Sequence, residues 1–310
     1  STSTNSVKGF FDNVKAFDVE TTRLNTDVSM DPSRKGQIWQ VGLAGKGVNQ
    51  GKGIEAEINP FYVFEKDAEG DTFNTGKAAT HMDEYDFRQR LTLENGEFSK
   101  NAYKRGNFDT LIDKYMGNGS LATLDESIDK TLGTLGKSDV VVLQNMNFEN
   151  NMLKSAHIDG LISSSTFSNV QSRMETLTEH PSLAGVLTDV FQRPADVQKE
   201  MRQAERLFHK EYLITHEEKF FDQYVTHTNK AMDAYESVIN NSKREGAVAV
   251  ELMDITKAFY ANAAQTGHIE KGTAQLGLSV DFLSQALGMG EEAHTALSDS
   301  NKTIDIFRKL

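Results

Sequence analysis

Short apolar runs separated by longer polar stretches predict a β-sheet in the first part of the chain. Residues 14–19 alternate poorly between apolar and polar, as a strand buried on both faces does, and residues 38–43 predict a second strand. Residues 54–64 predict a third strand that bends or ends near Pro60. The polar residues 65–119, rich in Gly, Asn and Asp, predict long loops with one or two short helices.

A strand–turn–helix pattern follows in the middle of the chain. Thr123 and Glu126 have the spacing of a capping box and predict a helix that ends at Gly136. Residues 139–144 give the strongest pattern of a buried strand, and a helix is predicted from about Phe148. Strand, turn and helix in this order indicate an α/β fold.

From about residue 155 to residue 246 the chain is charged and helix-forming. Pro194 suits a first helical turn, and Thr215 begins a second capping box. Apolar stripes at helical spacing predict two amphipathic helices, whose faces are either the buried side of a helical subdomain or a docking surface. The remaining predicted helices cover residues 248–264, 279–288 and 296–310.

Composition narrows the class of protein. The 310 residues are 38% hydrophobic, which excludes disorder of the whole chain, and the absence of cysteine excludes disulfides and thiolate zinc sites. No apolar run reaches membrane-spanning length and no leader pattern begins the chain, so a soluble cytoplasmic protein without a membrane partner is expected. The net charge of −12 argues against broad adhesion to nucleic acid but permits an enzyme whose carboxylates hold divalent cations.

The first candidate for chemistry is a pair of acidic residues at the end of the first predicted strand. Asp18 and Glu20 are two residues apart, so both side chains point to one face. Two close carboxylates repel unless a cation lies between them, and Mg²⁺ favours carboxylate oxygens. A metal site and a solvated strand end both remain open on this pattern alone.

Two further acidic positions have a suitable context. Glu149 follows the predicted strand 139–144 and can approach the first strand if the two are parallel neighbours, or it can simply interact with the helix dipole. His294 and Asp299 diverge by about 140° on a regular helix, so His294 is expected in the preceding loop or first turn. There it could take a proton from water, or it could be an exposed histidine beside a solvated aspartate.

Taken together, three segments resemble one family. Residues 17–24 (FDVETTRL), 144–149 (QNMNFE) and 294–299 (HTALSD) occur in the order of the three motifs of the DEDDh 3′-to-5′ exonucleases, relatives of the proofreading exonucleases of DNA polymerases. This resemblance assigns residues 1–154 and 247–310 to an exonuclease domain and residues 155–246 to a helical insertion.

The resemblance implies an α/β fold, with an RNase H-like mixed β-sheet flanked by helices, and an enzyme that hydrolyses phosphodiester bonds. Its expected substrates are single-stranded or frayed 3′ ends, with DNA favoured over RNA. It implies two Mg²⁺ or Mn²⁺ ions as cofactors, with Asp18, Glu20, Glu149 and Asp299 as metal ligands, and His294 as the base that deprotonates water.

The resemblance also implies residues that contact the substrate. Thr22 and Leu24 correspond to positions that contact and wedge the terminal nucleotides, Asn145 lies in the second motif, and Arg23 contacts a phosphate or faces solvent. Arg23 replaces the family's glycine, and Glu149 replaces its aspartate.

The longer side chain of Glu149 motivates an alternative. In that alternative the chain is a catalytically weakened module for nucleic-acid binding or assembly. An RNA-directed exonuclease is a further alternative, and the helical insertion is the expected docking segment for a polymerase or another protein partner.

Overall fold

A computed structural model of the chain describes residues 13–21, 35–58, 62–78, 121–177, 189–273, 297, 299–302 and 304. The strands are β1 (Val14–Thr21), β2 (Ile38–Gly45), β3 (Ile54–Glu57), β4 (Tyr62–Lys66), β5 (Thr72–Ala78), β6 (Val140–Leu143) and β7 (Val248–Glu251). The main helices are α1 (Leu124–Lys130), α2 (Met146–Ile158), α3 (Ser164–Arg173), α4 (Ala195–Arg206), α5 (Glu218–Ile239) and α6 (Leu252–Gln265). A π-helix, Leu207–Tyr212, and a short α-helical segment, Leu213–Thr215, continue α4.

Five of the strands form one mixed sheet in the order β3-β2-β1-β6-β7. β2 runs antiparallel to both β1 and β3, whereas β1, β6 and β7 are parallel. β4 and β5 pair with each other as a separate antiparallel hairpin. The predicted α/β class with a mixed sheet flanked by helices is therefore confirmed.

Helices cover both faces of this sheet, which explains why its central strands alternate so poorly. Val140 and Val142 pack with α4, α5 and α6 on one face, and Val141 and Leu143 pack with α1, α2 and α3 on the other. All four residues of β6 are buried, as expected for a central parallel strand. The helices of the predicted insertion thus share hydrophobic clusters with the strands.

The prediction of a helix over residues 248–264 is wrong in its first turn. Val248–Glu251 form β7, a strand buried at every position, and the helix starts only at Leu252. A buried run of four residues has no periodicity that separates strand from helix, and pairing with β6 decides its conformation.

Other local predictions had mixed outcomes. The prediction of loops over residues 65–119 is wrong for Thr72–Ala78, which form β5. Thr123 is confirmed as the N-cap of α1, since its Oγ1 accepts from the Glu126 amide, but α1 already ends at Lys130. The second capping box is wrong, because Glu217 is the N-cap of α5 and makes no side-chain capping bond. Residues 279–288 lie outside the described residues.

Among the helices that the structure describes, none combines the length and the apolar character needed to cross a membrane.

Candidate metal centre

β1 brings two carboxylates to one face of the sheet near the end of the strand. Asp18 and Glu20 are both half-buried and occupy alternate positions. β6 pairs with β1 only along residues 14–16 and ends at Leu143, so both acidic residues lie beyond the end of β6. Crevices beyond the carboxyl ends of parallel strands are the usual ligand sites of open α/β sheets.

A third carboxylate comes from the far end of the chain. Asp299 is helical and only 4% exposed, and it joins Asp18 and Glu20 in a group whose ligand oxygens all lie within 4.8 Å of one another. Three of the predicted metal ligands are therefore brought together. Within the part of the chain that the structure describes, these three form the only group of at least three His, Asp or Glu side chains with such spacing.

The charges of this group favour a cation. At the 4.8 Å limit, two ionised carboxylates repel by roughly 3 kcal/mol at an effective dielectric constant of about 20. A divalent ion between the oxygens replaces this repulsion by attraction, and an all-oxygen set of carboxylates is what Mg²⁺ and Mn²⁺ accept. The donor set thus fits the predicted metals in its chemistry.

The fourth predicted ligand, Glu149, is not part of this group. It lies in the first turn of α2, is 2% exposed, and its Oε2 has no hydrogen-bond partner among the described residues. Burial, together with the negative charge of nearby Glu251, raises the pKa of Glu149 to about 8. The structure therefore presents Glu149 as a carboxyl group that is mostly protonated near neutral pH when no cation is bound.

Asn145, a predicted substrate contact, has a structural role at the same helix. It is the N-cap of α2, and its side-chain Oδ1 accepts a hydrogen bond of 3.4 Å from the amide of Phe148. Its substrate contact stays a prediction.

A buried polar network beside Glu149 was missed in the sequence. Glu251, the last residue of β7, accepts a hydrogen bond from the Met146 amide at the start of α2 (3.1 Å). Arg193 binds Asp254 through Nη2 (2.7 Å), and its Nε lies 3.4 Å from Glu251 Oε2, close enough for an ion pair but without hydrogen-bond geometry. Tyr235 donates to the other oxygen of Asp254 (2.6 Å).

Burial shifts the pKa values of the acidic groups in this network. Burial raises the pKa of Glu251 and of Asp254, although Arg193 opposes the shift in both. Burial and the neighbouring Asp254 carboxylate raise the pKa of Tyr235 well above its ordinary value. The signal in the sequence was an acidic residue at the end of Val248–Glu251, and it was hidden because this segment was predicted to be helical.

Several predicted site residues lie outside the described residues. These are Thr22, Arg23, Leu24 and His294. Their roles stay predictions.

Comparisons of the chain with protein-family models, with curated proteins and with solved structures each returned no match.

Proposed function

We propose that this chain is a metal-dependent 3′-to-5′ exonuclease that hydrolyses phosphodiester bonds at single-stranded or frayed 3′ ends. The observation that carries the proposal is the convergence of Asp18, Glu20 and Asp299 within 4.8 Å. These residues come from two of the three motif-like segments, and Asp299 lies about 280 positions after the other two in sequence. A chance acidic pair on a strand would not require a third carboxylate from the other end of the chain.

The topology supports an RNase H-like fold for the same domain. In the sheet order β3-β2-β1-β6-β7, the first strand lies in the centre, one neighbour is antiparallel and the other parallel. This places the acidic end of β1 beside the junction between β6 and α2, which carries the second motif-like segment.

The chemistry follows from the roles of the chain's own residues. Asp18, Glu20 and Asp299 would hold two Mg²⁺ or Mn²⁺ ions, and Glu149 would join them as a further ligand once ionised. Such ions, when bound, stabilise the attacking and leaving oxygens of an in-line displacement. His294 would take the proton of the attacking water, a task that histidine side chains commonly perform in enzymes.

The expected substrate is a single strand, with DNA favoured. Thr22 and Leu24 follow the acidic end of β1 directly and would contact the terminal nucleotides, while Arg23 would contact a phosphate. Apolar wedging between bases suits single strands because every base offers a stacking face. Bound cations would also offset the local negative charge and allow an acidic protein to accept phosphate.

The position of Glu149 favours one second candidate. Because its carboxyl group lies outside the three-carboxylate group and binds a proton readily, the site has three acidic ligands where the family pattern has four. A chain with this site could bind nucleic acid, or dock a polymerase or another partner through the helices of residues 155–246, with little hydrolysis.

A labelled single strand separates these functions. We expect Mg²⁺ or Mn²⁺ to support release of labelled mononucleotide from a 3′-labelled DNA oligonucleotide, and EDTA to stop it. Asp18→Asn and Asp299→Asn should abolish release, since each removes one ligand charge at nearly constant volume. An RNA oligonucleotide of the same sequence tests the preference for DNA.

The matched control is Asp139→Asn, because Asp139 is also buried but lies at the amino end of β6, where it contacts Lys15 and the Gly136 amide. This variant should keep wild-type release. Release that persists in EDTA, or in Asp18→Asn, would refute the metal-dependent mechanism. Tight binding of the oligonucleotide without release would favour the second candidate.

A further inference from the structure

Glu55 on β3 lies in the same cross-strand row as the metal-site residue Asp18. Asp18 is paired with Gly42 on β2, and Gly42 is paired with Glu55. Residues in register across a sheet point to the same face, so Glu55 and Asp18 share a face at two strand spacings, roughly 10 Å. Gly42, which lies between them, has no side chain and is buried.

The segment that carries Asp299 rests on this row. Glu55 Oε2 accepts a hydrogen bond of 2.9 Å from the Leu297 amide, and Ser300 Oγ donates to the Gly42 carbonyl oxygen at 3.4 Å. Asp299 lies between these two anchored residues in sequence.

The helix predicted from residue 296 would place the Leu297 amide in its first turn. Amides in the first turn of a helix lack an intrahelical acceptor, and a carboxylate that accepts from one also interacts favourably with the positive end of the helix dipole. Donation from Leu297 to a side chain fits the start of the helix that was predicted from residue 296.

Gly53 shows how closely this segment approaches the sheet. A Cβ atom at Gly53 would lie 2.3 Å from Leu297 Cδ1, far inside van der Waals contact. Its φ of +77° also favours glycine. The turn before β3 is therefore shaped to accept the Leu297 side chain.

We propose that Glu55 is a positioning residue that sets the place of Asp299 in the metal centre by holding the Leu297 amide. This inference rests on the proposed function, because it assigns Asp299 to a metal site. Residues that orient metal ligands through hydrogen bonds change metal affinity by roughly 10- to 100-fold when they are replaced. Glu55 acts from a strand that carries none of the three motif-like segments.

Three substitutions at Glu55 separate its hydrogen bond from its charge. Glu55→Ala removes both, Glu55→Asp keeps the charge but withdraws the oxygen by one methylene, and Glu55→Gln keeps an acceptor at the same reach. We expect Mn²⁺ affinity, measured by calorimetry and electron paramagnetic resonance, to fall roughly 10- to 100-fold in the Ala and Asp variants. The Mn²⁺ affinity of Glu55→Gln should stay within about 3-fold of the wild-type affinity, because a neutral acceptor still binds the Leu297 amide.

The matched control is Glu175→Ala. Glu175 Oε2 also accepts backbone amide hydrogen bonds, from Glu245 and Gly246 at 2.7 Å each, but it lies by the start of β7, at the other end of the sheet. Its removal should lower the urea midpoint without changing Mn²⁺ affinity.

Hydrogen exchange of the metal-free protein gives a second readout. Exchange of the Leu297 amide should accelerate roughly 10-fold or more in the Ala and Asp variants and stay slow in the Gln variant and in Glu175→Ala. If Glu55→Ala does not fold, the Mn²⁺ affinities and exchange rates of Glu55→Asp and Glu55→Gln are compared with each other and test the same role.

The outcomes are distinguishable. Wild-type Mn²⁺ affinity in folded Glu55→Asp and Glu55→Ala overturns the positioning role. An equal loss of affinity in Glu55→Gln also overturns it, because this variant keeps an acceptor for the Leu297 amide. Wild-type protein that binds Mn²⁺ but releases no nucleotide overturns the exonuclease alone. Wild-type protein that binds no Mn²⁺ overturns the metal centre and this inference together.

Discussion

The buried carboxyl group of Glu149 should make the stability of the metal-free protein fall as pH rises. The pKa of this group is about 8 in the folded chain, against an ordinary value of 4.5, because of burial and the nearby Glu251 carboxylate. Between these two values the folded protein holds a proton that the unfolded chain has released. Unfolding therefore releases a proton in this window, and the free energy of unfolding decreases with rising pH.

The size of this loss of stability follows from the pH interval between the two pKa values. The loss accumulates at about 1.4 kcal/mol per pH unit from about pH 4.5 and reaches about 5 kcal/mol by pH 8. Below pH 4.5 the folded and the unfolded chain both hold the proton, so Glu149 does not lower the free energy of unfolding there. Glu149→Gln has nearly the same shape and no titration, so it should remove this part of the pH dependence.

Urea unfolding in the presence of EDTA, at pH values from 5 to 9, measures the effect. The single tryptophan, Trp39, is 5% exposed and reports unfolding by its fluorescence. The difference in stability between Glu149→Gln and wild type should grow steadily from pH 5 to pH 8 and then level off. Glu236→Gln, which changes an exposed glutamate on α5, is the control and should follow the wild-type curve.

Parallel curves for wild type and Glu149→Gln between pH 5 and pH 8 would refute this reasoning. Such a result would mean that Glu149 is ionised in the folded chain, with water or a cation at its Oε2. Repeating the series with Mn²⁺ gives a further check, because a cation bound by Glu149 should flatten the wild-type curve.

Three other predictions, one of which compares two variants, test separate parts of the molecule. His294→Ala should lower the rate of nucleotide release by roughly 100-fold with little change in Mn²⁺ affinity; an unchanged pH–rate profile would remove His294 from the mechanism. Tyr224→Ala should cost about 3 to 5 kcal/mol of stability, because this side chain of α5 is fully buried and packs against the rings of Phe208 and Phe221. Ile214→Ser, at a position 71% exposed, should change stability by less than about 0.5 kcal/mol, and similar urea midpoints for these two variants would contradict the packing. Arg193→Leu should destabilise the protein by roughly 2 to 4 kcal/mol at pH 8 and less at pH 5, where the buried carboxyl groups left behind can take up protons; a pH-independent loss would count against this role.

The parts of the fold that could be predicted are those with a strong local signal. β1, β2 and β6 were predicted from apolar runs, and the Thr123 cap from the spacing of two residues. Val248–Glu251 could not be assigned in the same way, because four buried residues fit a helix as well as a strand until a neighbouring strand is known.

The same distinction applies to the amphipathic helices of residues 155–246. Their stripes were visible, but the sequence left open whether they face a subdomain, a partner or the sheet. In the structure, Tyr224 of α5 and Val197 of α4 share one cluster with Val140 and Val248. Helical periodicity identifies the apolar face of a helix, and only the tertiary fold decides which surface covers that face.

The candidate site shows where such reasoning reaches its limit. The carboxylates that can bind a cation belong to recognisable motifs, but the carboxylates that hold the motif-bearing segments do not. Glu251 accepts from the Met146 amide across 105 positions, and Glu55 accepts from the Leu297 amide across 242 positions. Each is an acidic residue on a strand without a motif, and its partner is a backbone amide, which any residue except proline can supply. No local pattern distinguishes such a residue from a solvated glutamate. Substitutions at Glu55 and Glu251 therefore test whether the geometry of the site depends on residues outside the motifs.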